Sequence, residues 1–459
     1  MKKKIFSLMA VFMLGVLIFT GCGFTPLKGG PSLDDHVSSN GSMVVQKGNY
    51  VYFVNGLEET KNLKDGSNKY GSVDYSSLYR TELDNNGKLQ YDENGKLIAE
   101  VLAPKVIGFE NGSFYILDDR IYYATPNTEK NASGNIDFTQ TDFYSSKLDG
   151  SDVVRIYKTN VASTKFKFAF YKVENSVVLA VYDSADLFMI DCDSHKVTKV
   201  AEKVDSIVLP KVTEVSSYAG ENYVYYTRSS VEEDNSIRGN ILAMASLKEN
   251  QEKVALKNST YVVKLFASDG LIYSSKGVND KGAYLYMINF KNDELDQTSI
   301  VQISDQEFKN EPLLLNFENG SYRGLIVKNE SGYLTHVKPM VNHVPEFEVL
   351  NSEVSLTPLA IYGDDIYAYN TDNELYKLNY KTKALTKLTS KDNSKLNFTI
   401  YANVDFDGRY VYAFQEFTGD NDNKGYYLVR IDTISGELPE VETLGKFINK
   451  HVKTETENN

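Results

Sequence analysis

One short segment recurs along the chain and restricts the folds that the chain can adopt. It consists of an apolar residue, often an aromatic residue, a variable residue, another apolar residue, and then Asp or Asn. Four clear copies and four looser ones end, in chain order, at Asp84, Asp149, Asp191, Ala245, Asn289, Val337, Asn379 and Asp432. Their mean spacing of about 50 residues is typical of repeat folds such as propellers. The pattern gives eight units, and seven stay possible because the two loosest copies could be fortuitous.

Each unit contains further segments that are typical of β-strands. A Tyr-rich or aliphatic run lies upstream of the repeated segment, at 50–53, 120–123, 177–181, 223–226, 271–273, 324–327, 365–369 and 410–414. A third apolar segment closes many units, as at 153–157, 197–200 and 384–388. Short strands at hairpin spacing, in a chain with 33 Tyr, predict antiparallel sheets. No stretch of the body has the pattern of an amphipathic helix.

The strand segments are nearly continuous in apolar residues, which indicates sheets that are covered on both faces. The blades of a propeller pack against their neighbours in this way. We therefore predict an all-β fold, a single β-propeller of antiparallel strands over residues 43–447 with seven or eight blades, eight being favoured. A series of β-sandwich domains would need units of about 100 residues joined by linkers, and no Pro- or Gly-rich linker interrupts 43–447.

The N-terminus predicts export and a lipid anchor. Lys2, Lys3 and Lys4 precede an apolar run at 5–19, which is shorter than the roughly 20 residues of a membrane-spanning helix. The run ends in Phe19-Thr20-Gly21-Cys22, which resembles the bacterial lipobox. The resemblance implies that residues 1–21 are a lipoprotein signal peptide and that Cys22 carries the acyl chains that attach the protein to a membrane. The predicted location is the extracytoplasmic face of the cell membrane.

The ends of the mature chain lack strand periodicity. Residues 22–42 contain the lipidated Cys and many Gly, Pro and Ser residues, so we interpret them as a flexible linker. Residues 448–459 are polar and charged, and we expect a disordered tail.

Charge and cysteine content exclude some classes of function. The net charge of −13 becomes −16 once the three N-terminal lysines are removed. This balance argues against nucleic-acid binding, which normally needs a basic face. The chain has two Cys, and with Cys22 lipidated no intrachain disulfide can form. We interpret Cys192, at the end of a strand, as a buried and inert thiol.

One segment carries a family resemblance. Leu148-Asp149-Gly150-Ser151 is similar to the turn of propellers related to the YWTD type of the low-density-lipoprotein receptor. The layout also resembles bacterial lipoproteins with such propellers, including a domain of unknown function in Gram-positive anaerobes. The YWTD tetrapeptide itself is absent. The resemblance implies a propeller of six to eight blades and no agreed activity.

Two candidate metal sites do not fit their ligand patterns. Residues 420–425 resemble part of a calcium loop, but Lys424 and Ile431 stand where oxygen ligands are needed. We interpret them as a polar hairpin loop. His336, His343 and Glu346 could bind zinc in principle, although the prolines around them forbid an aligning helix. We interpret both histidines as loop residues without a ligand role, and we predict no metal.

Two classes of function stay open. No nucleophile elbow, phosphate-binding loop, dinucleotide fingerprint or zinc-protease motif occurs, so we predict no catalytic residues and no cofactor. The favoured hypothesis is a non-enzymatic scaffold that binds an envelope protein, a peptide or a glycan through long propeller loops at 56–75, 126–141, 229–239 and 418–425. The alternative is an extracytoplasmic carbohydrate hydrolase or lyase with its site in the central channel.

The anchor can be tested directly. The Cys22→Ala variant should lose metabolic labelling with palmitate and should accumulate as the unprocessed precursor, because the modified thiol is missing. A Cys192→Ala control should be labelled and processed normally. Normal processing of the Cys22→Ala variant would leave an ordinary secreted protein without a lipid anchor.

Overall fold

In the computed structural model of the chain, the described residues are 27, 29–55, 57–58, 77–93, 95, 97–103, 114–127, 129–130, 132–134, 140–159, 167–183, 185–208, 223–231, 237–257, 261–266, 270–275, 284–291, 294–303, 313–318, 321–341, 344–389, 396–404, 409–418, 424–434 and 441–444. These residues form 35 strands in eight antiparallel sheets, numbered here in chain order. The fold is all-β, as predicted, and it is a β-propeller.

The first four sheets follow one another along the chain. Sheet 1 contains β1 (Val37–Ser38), β2 (Val44–Lys47), β3 (Tyr50–Val54), β5 (Leu78–Glu82) and β6 (Ala99–Ala103). Strand β4 (Leu57–Glu58) follows β3 in the chain but pairs with a strand of another sheet. Sheet 2 contains β7 (Phe114–Leu117), β8 (Arg120–Pro126), β9 (Thr141–Lys147) and β10 (Val154–Lys158). Sheet 3 contains β11 (Lys167–Val173), β12 (Ser176–Asp183), β13 (Asp186–Asp191) and β14 (Val197–Glu202). Sheet 4 contains β15 (Val204–Val208), β16 (Tyr223–Val231), β17 (Ile237–Ser246) and β18 (Glu252–Lys257).

The other four sheets repeat the arrangement. Sheet 5 contains β19 (Tyr261–Phe266), β20 (Gly270–Ser275), β21 (Tyr284–Lys291), β22 (Glu294–Leu295) and β23 (Val301–Gln302), with a 3-10 turn at Gln297–Ser299. Sheet 6 contains β24 (Leu313–Glu318), β25 (Ser321–Lys328), β26 (Leu334–Val341) and β27 (Val344–Val349). Sheet 7 contains β28 (Thr357–Tyr362), β29 (Asp365–Tyr369), β30 (Leu375–Asn379) and β31 (Leu385–Lys387). Sheet 8 contains β32 (Leu396–Val404), β33 (Tyr410–Thr418), β34 (Lys424–Asp432) and β35 (Val441–Thr443), and β4 pairs with β34.

Each sheet has an inner strand that the repeat pattern does not reveal. Each sheet contains a meander of four strands, here called its main strands and counted in chain order; β1, β4 and β22 are additional short strands. The three predicted strands of a unit are its second, third and fourth main strands. The strand before them is the inner one, since β2 contacts β7, β15 contacts β19, β24 contacts β28 and β28 contacts β32 across neighbouring sheets. These inner strands share no Tyr-rich pattern, and some are short and mixed in polarity, as in β2 and β15.

Most unit ends lie at or just beyond the end of the third main strand of their sheets, and capping of the turn that follows explains the Asp or Asn found there. Asp149 Oδ1 accepts hydrogen bonds from the amide of Ser151 at 2.9 Å and from its hydroxyl at 2.6 Å. Asp191 and Asn379 cap their turns in the same way. Side-chain capping of tight turns is the role for which these residues are favoured. At Ala245, where the pattern is loose, the next residue supplies the cap, since Ser246 Oγ accepts from the amide of Glu249 at 3.0 Å.

The core lies between the sheets, and both faces of the central strands are buried. All five residues of β3 are buried, and so are six of the eight residues of β12. Clusters of buried apolar side chains join sheets 8, 1 and 2, sheets 2, 3 and 4, sheets 4 and 5, sheets 6 and 7, and sheets 7 and 8. The ring of Phe143 in sheet 2, for example, packs edge-on against Phe168 in sheet 3 with centroids 5.2 Å apart.

The last sheet packs against the first and closes the ring. Tyr410 donates its hydroxyl to the carbonyl of Gly87 at 3.1 Å, and Arg409 Nη1 donates to the carbonyl of Asn86 at 3.1 Å. The guanidinium of Arg430 is fully buried, ion-paired with Glu442, and lies 4.1 Å from the centroid of the Tyr410 ring. Its Nη2 also donates to the carbonyl of Gly87 at 3.3 Å. Side-chain contacts therefore join sheets 8 and 1.

The prediction of a flexible linker is wrong for residues 29–42, which pack on sheets 1 and 2. Strand β1 pairs with β2. The ammonium of Lys47 donates to the carbonyls of Leu33 and Asp35 at 2.9 and 3.0 Å. Asn40 bonds both the amide and the carbonyl of Ile116. These hydrogen bonds fix the segment although its composition is that of a linker. Residues 22–26 and the tail 448–459 lie outside the described residues.

Removal of the Arg430 guanidinium, which lies between sheets 8 and 1, should destabilise the fold. An Arg430→Met variant leaves Glu442 without its partner, and loss of one member of a buried pair costs about 3–5 kcal/mol. We expect the free energy of unfolding in urea to fall by about 3 kcal/mol. A Lys199→Met control, which removes the surface pair with Glu202, should leave the midpoint close to that of the parent. Equal midpoints for the two variants would contradict the role of Arg430.

Candidate functional site

The meander of each sheet gives the propeller two different ends. The turn between the first and second main strands and the turn between the third and fourth lie at one end, here called the turn end. The loop between the second and third main strands and the connection to the next sheet lie at the opposite end, here called the loop end. Residues far apart in sequence are thereby sorted to two surfaces.

All four predicted binding loops lie at the loop end. Residues 56–75, 126–141, 229–239 and 418–425 join the second and third main strands of sheets 1, 2, 4 and 8. Of these loops the structure describes 57–58, 126–127, 129–130, 132–134, 140–141, 229–231, 237–239, 418 and 424–425. The loops of sheets 8, 1 and 2 are neighbours in the ring, and the loop of sheet 4 stands apart from them.

Two of the predicted loops are in direct contact. Strand β4 pairs antiparallel with the start of β34, so that Leu57 lies opposite Tyr426 and Glu58 lies opposite Gly425. These residues are more than 360 positions apart, and the contact arises because closure of the ring makes sheets 1 and 8 neighbours. The pairing links the described ends of the two loops at the loop end.

Hydrogen bonds hold the bases of the loops in sheets 1 and 2. Asn55 Oδ1 accepts from the amide of Ser77 at 2.8 Å, which draws together the two sides of the first loop. In sheet 2 the amide of Asn127 donates to the carbonyl of Gln140 at 2.9 Å. Asn127 Oδ1 also accepts from the amide of Glu129 at 3.0 Å. The loops therefore start from fixed positions.

A group of charged side chains lies beside the loop of sheet 2. Lys158 Nζ donates to Glu129 Oε2 at 3.0 Å, and Arg155 pairs with the other oxygen. These two cations hold the pKa of Glu129 below its usual value. Asp142 is 2% exposed, burial raises its pKa, and Tyr144 donates its hydroxyl to Asp142 Oδ2 at 3.4 Å. The exposed pair of Arg155 and Glu129 can offer both a basic and an acidic hydrogen-bonding partner to a ligand.

The inner strands carry charges that are matched by partners. Lys47 is held by two backbone carbonyls, and burial lowers its pKa. Lys172 of sheet 3 forms an ion pair with Asp118 of sheet 2 at the turn end. Lys47 is therefore satisfied within the N-terminal part of the chain, and Lys172 forms a cross-sheet pair at the turn end.

A shallow cavity of about 160 Å³ lies between sheets 3 and 4 at the turn end. Its floor is apolar and includes Val178, Met189 and Leu247. Its rim includes Glu174 and Lys248, whose ammonium donates to Glu174 Oε1 at 2.6 Å and holds the pKa of this carboxyl below its usual value. The ion pair bridges the two sheets across the cavity.

The structure corrects the interpretation of His336 as a loop residue. His336 lies in β26 and is 6% exposed. Its Nε2 donates to the carbonyl of Arg323 at 2.9 Å, its ring packs edge-on against Tyr380, and burial lowers its pKa. Glu346 is paired with Lys338 at 2.7 Å, and His343 lies outside the described residues. Among the residues that the structure describes, no group of three His, Cys, Asp or Glu side chains could hold a metal ion.

The other candidate residues are placed as follows. The hairpin around the calcium-like segment is confirmed, since Thr418 lies opposite Lys424, while 419–423 lie outside the described residues. Cys192 is buried, as predicted, and burial raises the pKa of its thiol. His195 lies in a turn with φ of 58°. Cys22 lies outside the described residues. No helix of the described part is long and apolar enough to span a membrane.

Comparisons with known proteins give similarities of fold at low identity. No protein-family model and no curated protein matches the sequence. AztD from Citrobacter koseri is 10% identical with a TM-score of 0.38, over 89% of this chain and 94% of that chain. The β-propeller domain of the Trilobed protease from Pyrococcus furiosus is 9% identical with a TM-score of 0.40, over 78% and 98%.

A puromycin-hydrolyzing peptidase from Mycobacterium tuberculosis is 12% identical with a TM-score of 0.41, over 73% of this chain and 53% of that chain. The present chain thus spans about half the length of the peptidase. At 9–12% identity, these comparisons assign no activity to the present chain.

The buried imidazole predicts a pH dependence of stability. The pKa of His336 is lowered from 6.5 in the folded state, so the unfolded chain binds a proton first as the pH falls. The contribution of the neutral His336 side chain to the free energy of unfolding should be fully present above pH 6.5 and should decline as the pH falls below this value. We expect a His336→Gln variant to lose this part of the decline in urea midpoints measured between pH 7.5 and 5.

A His195→Asn variant is the matched control, because Asn tolerates the positive φ of that turn and the pH dependence should stay that of the parent. A decline that is equally steep in the His336→Gln variant would contradict the assignment.

Proposed function

We propose that the chain is a membrane-anchored extracytoplasmic lipoprotein whose propeller is a non-enzymatic binding scaffold. The ligand is an envelope protein, a peptide or a glycan, and it binds at the loop end over sheets 8, 1 and 2. The observation that carries the proposal is the pairing of β4 with β34, which links the described ends of two of the predicted loops.

The geometry around these loops supports binding. Binding sites are often formed by loops that a rigid scaffold positions. Here the scaffold is a closed ring, and hydrogen bonds at Asn55 and Asn127 fix the bases of two neighbouring loops. The exposed pair of Arg155 and Glu129 lies beside the loop of sheet 2 and supplies polar contacts of both signs.

The sequence supports the anchor. The segment that ends in Cys22 resembles a lipobox, and acylation at two or more positions would give stable attachment. A scaffold held at the membrane in this way would act on partners in the envelope.

The loop site can be tested by replacing two loops. In one variant, residues 59–75 and 419–423 are replaced by Gly-Ser segments of equal length, so that β4 and β34 are kept. In the control variant, residues 435–440, between β34 and β35 at the turn end, are replaced in the same way. Each lipidated protein is cross-linked in its own membranes, and the recovered proteins and wall fragments are quantified.

We expect partners of the parent protein to fall at least tenfold with the loop-end variant and to stay unchanged with the control, since binding energy is concentrated in a few contacts. Equal recovery with both variants would show that the ligand does not bind at these loops.

A further inference from the structure

The N-terminal segment leaves the propeller beside the turn end. The amide of Leu27 donates to Glu100 Oε2 at 3.1 Å, and Glu100 is the second residue of β6 after the turn between β5 and β6. The carbonyl of Gly29 accepts from Arg80 Nη2 at 3.2 Å. The carbonyls of Leu33 and Asp35 are held by Lys47, the last residue of β2. The segment therefore runs along the turn end from the outer strand of sheet 1 to its inner strand.

The chain between this segment and the predicted lipid is short. Leu27 follows Cys22 by five positions, and five extended residues span at most about 18 Å. Glu100, which accepts the bond from Leu27, is one residue from the turn-end limit of β6 and three from its loop-end limit. A lipid on Cys22 therefore reaches the plane of the turn end more easily than the plane of the loop end.

Exposed apolar side chains are concentrated at the same end. Nine large apolar side chains are exposed in the described residues, and seven of them lie at the turn end. These seven are Leu33, Tyr91, Val153, Val197, Ile300, Tyr362 and Ile434. Ile434 is 68% exposed and Leu33 is 65% exposed.

The described part of the loop end has few exposed apolar side chains. Apart from Ala132 and Gly134, its exposed residues are polar or charged between β8 and β9, between β27 and β28, and between β29 and β30. Among the described residues, large exposed apolar side chains are therefore more numerous at the turn end, where they lie among exposed charged residues such as Asp118, Glu174 and Lys381.

We propose that the turn end faces the membrane that holds the lipid, that its exposed apolar side chains contact the headgroup layer, and that the loop end faces away. The proposal rests on the proposed function, because it takes Cys22 as the anchor. The short tether keeps the turn end near the lipid surface, and apolar side chains gain by entering the interface. The binding loops are then presented to the space beyond the membrane.

The orientation can be measured by energy transfer on vesicles. The mature chain from Cys22 onwards, with Cys192→Ala, is coupled through the Cys22 thiol to maleimide lipid in phosphatidylcholine vesicles that carry a headgroup acceptor. A donor is placed through an azide-bearing amino acid at one of two exposed positions of sheet 7. Lys381 lies at the turn end, and Thr371 lies at the loop end. The two ends are separated by about 17–30 Å, the length of five to nine strand residues.

We expect transfer from Lys381 to be at least twofold greater than from Thr371. Equal transfer, or greater transfer from Thr371, would overturn the orientation. A triple variant, Leu33→Ser, Val153→Ser and Ile434→Ser, should reduce the difference, and an unchanged difference would overturn the apolar contact.

Chemical coupling makes this test independent of lipidation in the cell. Failure of the anchor would appear instead as normal processing of the Cys22→Ala variant.

Discussion

The contact between sheets 8 and 1 is the interaction on which the rest of the structure depends. Sheets with two apolar faces must be covered on both, and a row of such sheets leaves two faces in water unless its ends meet. The ends meet through the rings of Tyr410 and Tyr412, the buried guanidinium of Arg430, and hydrogen bonds to the turn at Asn86 and Gly87. Within the part of the chain that the structure describes, the two-residue strand β4 is the one strand that either sheet contributes to the other. Closure therefore depends on side-chain packing.

The same interaction, an Arg side chain that donates to a turn carbonyl of the neighbouring sheet, joins sheet 1 to sheet 2. Arg430 lies across the strands between Tyr412 and Glu442, and Arg80 lies between Tyr52 and Glu100. Each guanidinium donates to a carbonyl in the turn between the third and fourth main strands of the next sheet, Gly87 for Arg430 and Leu148 for Arg80.

Arg80 has an additional partner in the carbonyl of Gly29. The interaction that orders the sheets around the closure thus also fixes the segment that leads towards the predicted anchor. Closure in turn brings β4 to β34 and so joins two loops at the opposite end. The two proposed functional surfaces follow from one packing arrangement.

Local chemistry made much of the fold predictable. The Asp or Asn at the end of five units caps a tight turn, so its spacing indicates the sheets, and the Tyr-rich runs mark strands that are buried on both faces; these five are Asp84, Asp149, Asp191, Asn379 and Asp432. The inner strands have no such signature, because their side chains meet different neighbours around the axis. The prolines that follow His336 predict a loop, but β26 runs through Pro339.

The ordered segment at 29–42 and the pairing of two loops could not be predicted. Lys47 and Arg80 hold backbone carbonyls of the segment, and a linker-like composition does not reveal such acceptors. The loops meet only because the ring closes, which is a property of the whole chain.

Hydrogen exchange of the intact protein tests closure most directly. Amides of β3 and β33, in the two sheets that meet, are compared with amides of β12 in sheet 3. A closed ring predicts similar protection for all three strands, because each is then covered on both faces. Rapid exchange in β3 and β33 with slow exchange in β12 would show an open row of sheets and would contradict the account.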